Sequence, residues 1–414
     1  MSEPPDLSRL PITYRNLQSE KLAPRLERVA SELSAIADSG YYFYLQKIER
    51  LRGSRAWVDG QEKVLFASYD YLGLLEHPAI REAAIRGIEK FGTGTGGVRL
   101  LAGTFDVHVE LERRIAELKG TEAAIVLSSG FVTNVAFFST LFTEADVLVI
   151  DKLCHASIVD GCRLSGATIR SFQHNSARDL EVVLSSLRRD GRSGEIVVAV
   201  DAIYSMDGDL AALPEICLVA KRYGARVLVD EAHSIGVLGR TGRGIDEHLD
   251  VHSVDYFMGS LSKAIPAMGG YVAADKQTIN YLRHYARPFI FSASLPAPAA
   301  AAALAAIDIL TTETWRRERL WRNQKLFSEA LRALDFDLLD SNSPIIPVVF
   351  RDPALTLRFA RFLNENGVFI CPVLYPAVPI HASRLRGHVT VSHSDEDLEM
   401  CLGLFREGRK RLLP

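Results

Sequence analysis

Seven short apolar runs recur between residues 123 and 274, and helical spacers such as "DLEVVLSSLRR" and "LPEICLVAKRYG" separate most of them. The runs are "AAIVLSSG" (123–130), "DVLVID" (146–151), "TIRSFQHN" (168–175), "EIVVAVDAI" (195–203), "RVLVDEAH" (226–233), "DYFMGSLSK" (255–263) and "GGYVAA" (269–274). They are continuously apolar rather than alternating, so both faces of each strand have to be covered. That requires a mainly parallel sheet between layers of helices. Such sheets bind ligands beyond the carboxyl ends of their strands. The polar residues just after each run are therefore the first candidates for chemistry.

The regions outside these runs suggest three parts. Residues 1–60 carry helical patterning and a tyrosine-rich turn, "GYYFYLQKIER", and read as an N-terminal arm; residues 61–295 form a large domain and 296–414 a smaller α/β domain. In the last part "SPIIPVVF", "GVFICPVLY" and "RLRGHVTVSH" read as strands, and Ser394 before "DEDLEMCLGLF" reads as a helix N-cap with an acidic first turn. The most apolar stretch, "APAAAAALAAI" (297–307), ends at Asp308. It is short of the ~20 residues that span a bilayer, so it reads as a buried helix and no transmembrane segment is expected.

The formal net charge of −3 lacks the basic excess that nucleic-acid binding needs. Five scattered cysteines, none in a Cys-x-x-Cys pair, fit reduced thiols in a cytoplasmic protein and suggest no metal site. The start "MSEPPDLSRL" lacks the pattern of a secretory signal. The Asp-Glu-Ala-His tetrapeptide at 230–233 resembles a helicase-type ATPase motif, but no Gly-Lys-Ser/Thr cradle occurs to hold a nucleotide phosphate. Gly92, Gly94 and Gly97 satisfy Gly-x-Gly-x-x-Gly, yet they follow an amphipathic helical pattern instead of a strand. They read as a loop whose backbone approaches a ligand or a neighbouring subunit.

Asp230 ends one strand, His233 follows by three, and Lys263 ends the next strand. A carboxylate, an imidazole and an amine brought together there match the needs of pyridoxal 5'-phosphate. The amine can form a Schiff base with the cofactor's aldehyde. The carboxylate keeps the pyridine nitrogen protonated, which makes the ring an electron sink. The imidazole can bond the ring's 3-oxygen. Ser260 and the backbone of "SSGF" (128–131), at a helix N-terminus, can hold the phosphate.

Eight motifs then stand in order: "YDYLGL" (69–74), "GTGTGGVRLLAGT" (92–104), "HASIVDG" (155–161), "YSMDGDLAAL" (204–213), "VDEAHSIGVLG" (229–239), "GSLSKA" (259–264), "FSASLP" (291–296) and "RLRGHVTVSH" (384–393). Over roughly residues 65–405 the sequence resembles the α-oxoamine synthases, fold-type I PLP-dependent transferases. The resemblance implies an α/β fold, a large domain with a mainly parallel seven-stranded sheet plus a smaller C-terminal α/β domain. It makes Lys263 the Schiff-base lysine, pairs Asp230 with the pyridine nitrogen, and sets His233 and Ser205 at the ring oxygen. His155 would stack on the ring. Gly130 and Phe131 amides and Ser260 would hold the phosphate, with Ser292 or Ser294 supplied by a partner subunit. Arg386 would bind the amino-acid carboxylate. A homodimer with shared active sites would condense an amino acid with an acyl thioester, carried by coenzyme A or a carrier protein, giving an α-amino ketone, CO2 and free thiol.

Tyr69 stands where glycine-using members tend to have asparagine, and the sequence looks closest to the bacterial serine palmitoyltransferases, so serine is the expected amino acid. Other members of the family use glycine or alanine, or a carrier-bound acyl group. An aminotransferase of the same fold would usually show tyrosine in place of His233. The basic helix "WRRERLWRNQK" (315–325) reads as a solvated face.

Overall fold

The structure, a computed structural model, describes residues 21–189 and 194–413. Contacts divide the chain into two compact units: Tyr69–Ser205 with Asp209–Arg319, and Met1–Ser68 with Met206–Gly208 and Leu320–Pro414. The boundaries thus fall at Ser68/Tyr69 and Arg319/Leu320, where the sequence suggested positions near 60 and 295.

The N-terminal part of the smaller unit contains α1 (Leu22–Asp38), β1 (Ile48–Arg52), β2 (Arg55–Val58) and β3 (Gln61–Leu65). The helical reading of the arm therefore holds for α1 but fails for residues 48–58, which are strands; residues 1–20 lie outside the described residues. Asp59 and Gly60 both adopt positive φ, 50° and 70°, the backbone of the tight turn whose twist matches two antiparallel strands. That Asp-Gly pair was the local signal for a hairpin.

The larger unit begins with α2 (Pro78–Phe91) and α3 (Asp106–Lys119). Strands and helices then alternate: β4 (Ala123–Leu127), α4 (Gly130–Leu141), β5 (Val147–Asp151), α5 (Ala156–Ser165), β6 (Thr168–Phe172), α6 (Ala177–Arg189), β7 (Ile196–Asp201), α7 (Leu213–Arg222), β8 (Arg226–Asp230), α8 (Ile245–His248), β9 (Tyr256–Ser262) and β10 (Pro266–Ala274). The short α9 (Lys276–Tyr285) and α10 (Arg287–Ile290) lead to the alanine-rich α11 (Ala297–Thr312) and to α12 (Trp315–Ala333), where the unit boundary falls. All seven predicted strands are present, in the order β4-β10-β9-β8-β7-β5-β6. The pairs from β6 to β9 are parallel, and β10 runs antiparallel to both its neighbours. Every residue of β5 and β7 is buried, as continuous apolar strands require. Phe137 and Phe138 of α4 pack with Leu148, Val197, Leu228 and Val272 in one core cluster. Each fully buried side chain of this kind stabilises the fold by about 1.5–3 kcal/mol.

The sheet and α4 approach closely at one point. A Cβ on Gly270 would lie 2.7 Å from the Gly130 Cα and 2.5 Å from the Thr133 Oγ1, so β10 can pass the start of α4 only with glycine there.

The chain ends in the smaller unit with β11 (Ile345–Val349), α13 (Pro353–Glu365), β12 (Val368–Phe369), β13 (Cys371–Val373), β14 (Arg384–His388) and α14 (Asp395–Leu412). β12 joins β3 in parallel, so strands more than 300 residues apart in sequence, Gln61–Leu65 and Val368–Phe369, share a sheet. Ser394 caps α14 through a reciprocal bond with Asp397, as its sequence position suggested. The basic stretch at 315–325 has the expected solvated face, with Trp315, Glu318, Arg319, Arg322 and Lys325 exposed, while Arg317 on the other side is 5% exposed and its guanidinium is bonded to the carbonyls of Leu310 and Arg240.

Candidate active site

β5, β7 and β8 each end on an aspartate, Asp151, Asp201 and Asp230, and Lys263 follows the last residue of β9. Parallel packing sets these ends side by side, and the loops after them close around a cavity of about 210 Å³. Of the residues expected from sequence, Gly130, Phe131, His155, Ser205, Asp230, His233, Ser260 and Lys263 all line this one cavity. Tyr69 lies beside it, with its ring 5.9 Å from Lys263 Nζ and edge-on to His233 at 5.7 Å. Ser292 and Ser294 do not line it; Ser294 instead bonds the Gly97 carbonyl through its backbone N–H at 3.1 Å, holding the glycine-rich loop. Arg386 lies on β14 of the smaller unit, its guanidinium 3.4 Å from the Met206 sulfur.

Asp230 is buried, and each of its oxygens has a donor: Ala232 N–H at 2.9 Å and Asn134 Nδ2 at 2.8 Å. His155 caps α5; its Nδ1 faces the Ser157 N–H at 3.2 Å and the Ser157 hydroxyl at 2.7 Å. An Nδ1 that accepts from a backbone N–H carries no proton, so Nε2 holds it. Burial pushes the His155 pKa down and the nearby Lys263 adds to this, while Asp230 works against it. His155 is thus a neutral ring at ordinary pH. The His233 Nδ1 meets the hydroxyl of fully buried Tyr71 at 2.9 Å, which fixes the ring plane.

Glu231, between Asp230 and Ala232, turns away from the cavity. It meets Lys119 Nζ at 3.1 Å, with both side chains fully buried, and accepts the Ile245 N–H at 3.2 Å. Burial raises its pKa and Lys119 opposes that. Its role is to anchor the turn that carries Asp230 and His233.

Ser129 caps α4 by accepting the Val132 N–H, and the helix opens directly at Gly130. A Cβ on Gly130 would come within 3.3 Å of the Ser260 Oγ, so glycine leaves room between this helix start and Ser260, which itself bonds Ser262 at 2.7 Å. Unfilled N–H groups and two hydroxyls suit a phosphate. With a strand-end carboxylate, an amine and a neutral imidazole alongside, the residues present fit pyridoxal phosphate.

Sequence reasoning did not single out Asp201, Asn134, Ser157 or Tyr71. Asp201 carried the same strand-end signal as Asp230. Asn134 lies one helical turn after Gly130 on a mostly apolar helix that also carries Thr133, Ser139 and Thr140, and its amide has no evident local reason.

Residues 61–404 match the family described as aminotransferase class I and II. The chain is 42% identical over 388 residues to an 8-amino-7-oxononanoate synthase of Thermoanaerobacter pseudethanolicus, covering 94% of this chain and 98% of that protein. It is 38% identical over 384 residues to a serine palmitoyltransferase of Bacteriovorax stolpii, covering 92% and 91%. Among solved structures it is similar to a serine palmitoyltransferase from S. paucimobilis with pyridoxal phosphate and myriocin bound, at a TM-score of 0.91 and 33% identity, covering 95% of this chain and 99% of that one.

Proposed function

We infer the reaction from one premise: the chain belongs to the aminotransferase class I and II family and, within it, to the α-oxoamine synthases, PLP-dependent acyltransferases. Enzymes of this family join an amino acid to an acyl thioester with loss of CO2 and thiol. We propose serine as the amino acid and a long-chain acyl-coenzyme A as the partner, in a reaction like that of serine palmitoyltransferase.

The observation that carries the reaction is the convergence of Lys263, Asp230, His233 and His155 on one cavity beside an open helix start. Bound pyridoxal phosphate supplies an electron sink that stabilises negative charge on the amino acid's Cα. Lys263 takes the Cα proton and returns it after CO2 departs. Asp230 holds the ring nitrogen in its protonated form. His155 offers a neutral face and an Nε2–H donor to orient the reactants. The Gly130 and Phe131 amides and Ser260 hold the phosphate. Arg386, carried by the family motif, is assigned to the substrate carboxylate, and Ser292 and Ser294 to the phosphate of a second subunit in a homodimer.

Serine is supported by Tyr69, which stands where glycine-using members tend to have asparagine and whose ring lies 5.9 Å from Lys263 Nζ. A second reading, glycine or alanine with a different acyl donor, is favoured by the 42% identity to a protein named 8-amino-7-oxononanoate synthase. Incubation of the holoenzyme with serine, glycine or alanine and acyl-coenzyme A of several lengths separates them, by thiol release and product mass. Serine with a long acyl chain is expected to release thiol fastest. Release with glycine or alanine alone selects the second reading, and amino transfer to a keto acid without thiol release overturns both.

A further inference from the structure

Asp201 and Asp230 are direct partners in the parallel register of β7 and β8, so their side chains leave the sheet on the same face. Two buried carboxyl groups this close do not both ionise readily. The cofactor needs charge on one of them.

Their hydrogen-bond partners differ. Asp230 receives a donor on each oxygen, Asn134 Nδ2 on Oδ2 and the Ala232 N–H on Oδ1. Asp201 receives one, the His155 N–H at 2.9 Å on Oδ2, and among the described residues its buried Oδ1 has no partner. Donors favour the ionised form, so a proton shared between the two settles on Asp201 Oδ1, where no donor is displaced. Burial and the charge of Asp230 both push Asp201 well above the usual carboxylate range. Of the other groups facing it, Lys263 opposes that shift and Asp151 adds to it.

Asn134 is fully buried, and its Oδ1 has no partner among the described residues. Turning the amide over would set that oxygen against Asp230 Oδ2, so the orientation is fixed by the carboxylate even though an acceptor goes unused. The second Nδ2 hydrogen goes to Ser157 Oγ at 2.9 Å, which leaves the Ser157 hydroxyl proton for His155 Nδ1. One amide therefore donates towards both cofactor-facing groups.

We propose that Asn134 is a positioning residue that decides which of two adjacent carboxyl groups is charged: Asp230 ionised for the cofactor's ring nitrogen, Asp201 protonated beside it. The proposal depends on the cofactor and is independent of which amino acid reacts.

The test uses holoenzyme loaded with pyridoxal phosphate labelled with 15N in the ring. In the wild type the ring-nitrogen signal lies in the protonated range. Asn134→Leu removes the donor and moves the signal towards unprotonated pyridine. Adding Asp201→Asn removes the competing carboxyl and moves it back, a rescue that a purely packing role of Asn134 does not produce. An unmoved signal in Asn134→Leu, or a double variant that stays shifted, overturns the proposal. Should Asn134→Leu fail to fold, the near-isosteric Asp201→Asn carries the test through infrared spectroscopy: the carbonyl band of a protonated carboxyl is lost while the ring-nitrogen signal stays in place. Persistence of that band overturns the proposal. Neither result touches the synthase reading, which thiol release tests separately.

Discussion

At the ends of β5 and β6, His174 lies between Asp151 and Asp209 with both ring nitrogens engaged, at 3.0 and 2.8 Å. At the ends of β5, β7, β8 and β9, His155, Asp201, Asp230 and Lys263 face a cavity instead. The residue types are nearly the same. In the first corner burial works against the charged imidazole, but the two carboxylates overcome it and raise the His174 pKa to about 10. In the second, burial prevails and the His155 pKa falls. Asn175, next to His174, completes the closed corner by bonding Asp209 and the Leu210 carbonyl. What separates the corners is hydrogen-bonding capacity left over. The closed corner uses its groups to tie loops down, and the open one keeps atoms available for a ligand.

That contrast predicts losses of different kinds. The largest is Lys263→Ala, expected to slow condensation by about a thousandfold. Borohydride should then no longer link the cofactor covalently to the chain, while the melting temperature stays close to wild type. A stable cofactor linkage in that variant would falsify the lysine assignment. Asp230→Asn should reduce kcat/KM on the order of a hundredfold, because a neutral amide no longer supports the protonated ring. Equal activity would place the essential carboxylate elsewhere.

His174→Gln should do the reverse, costing about 2 kcal/mol of stability by leaving two carboxylates facing each other, with less than tenfold change in kcat. The sign of its pH dependence is fixed. The folded-state pKa of about 10 exceeds the ordinary histidine value of about 6.5. Its stabilisation is therefore complete below about 6.5 and is lost as pH rises through about 10. Denaturant midpoints of wild type and variant should converge over that range, and divergence breaks the comparison. The smallest effect is Tyr71→Phe, which removes the 2.9 Å bond to His233 Nδ1; kcat/KM should fall up to about tenfold.

The seven strands of the large sheet were legible because burial on both faces leaves a run of apolar letters that no surface segment needs. Asp230, His233 and Lys263 followed from strand ends alone. Asp201 did not, because a strand-end aspartate looks the same whether it takes a charge or a proton, and the choice depends on donors from α4 and the loop before α5. Asn134 was hidden for a related reason: it is one of several small polar residues on α4, with Thr133, Ser139 and Thr140, and only the fold shows that its position faces a carboxylate. His174 was read as the end of a strand, since its two carboxylates come from positions 151 and 209. In the N-terminal arm, β1 is charged and exposed on both faces and shows no alternation, so the Asp59-Gly60 turn was the one local signal of strands there.

The pairing of β3 with β12 also orders events in time. The Leu65 carbonyl accepts from His393 across 328 residues of sequence, at 3.2 Å, and the Phe66 carbonyl accepts from His388 at 2.7 Å. During synthesis the larger unit has all its own residues as soon as Arg319 is made, while β1, β2 and β3 are still without the strand that completes their sheet. The open edge of β3 has to wait through residues 320–367, until β12 (Val368–Phe369) is made. Ribosome-bound chains halted shortly after Arg319 should thus protect the large sheet from proteolysis while leaving residues 48–65 open to it.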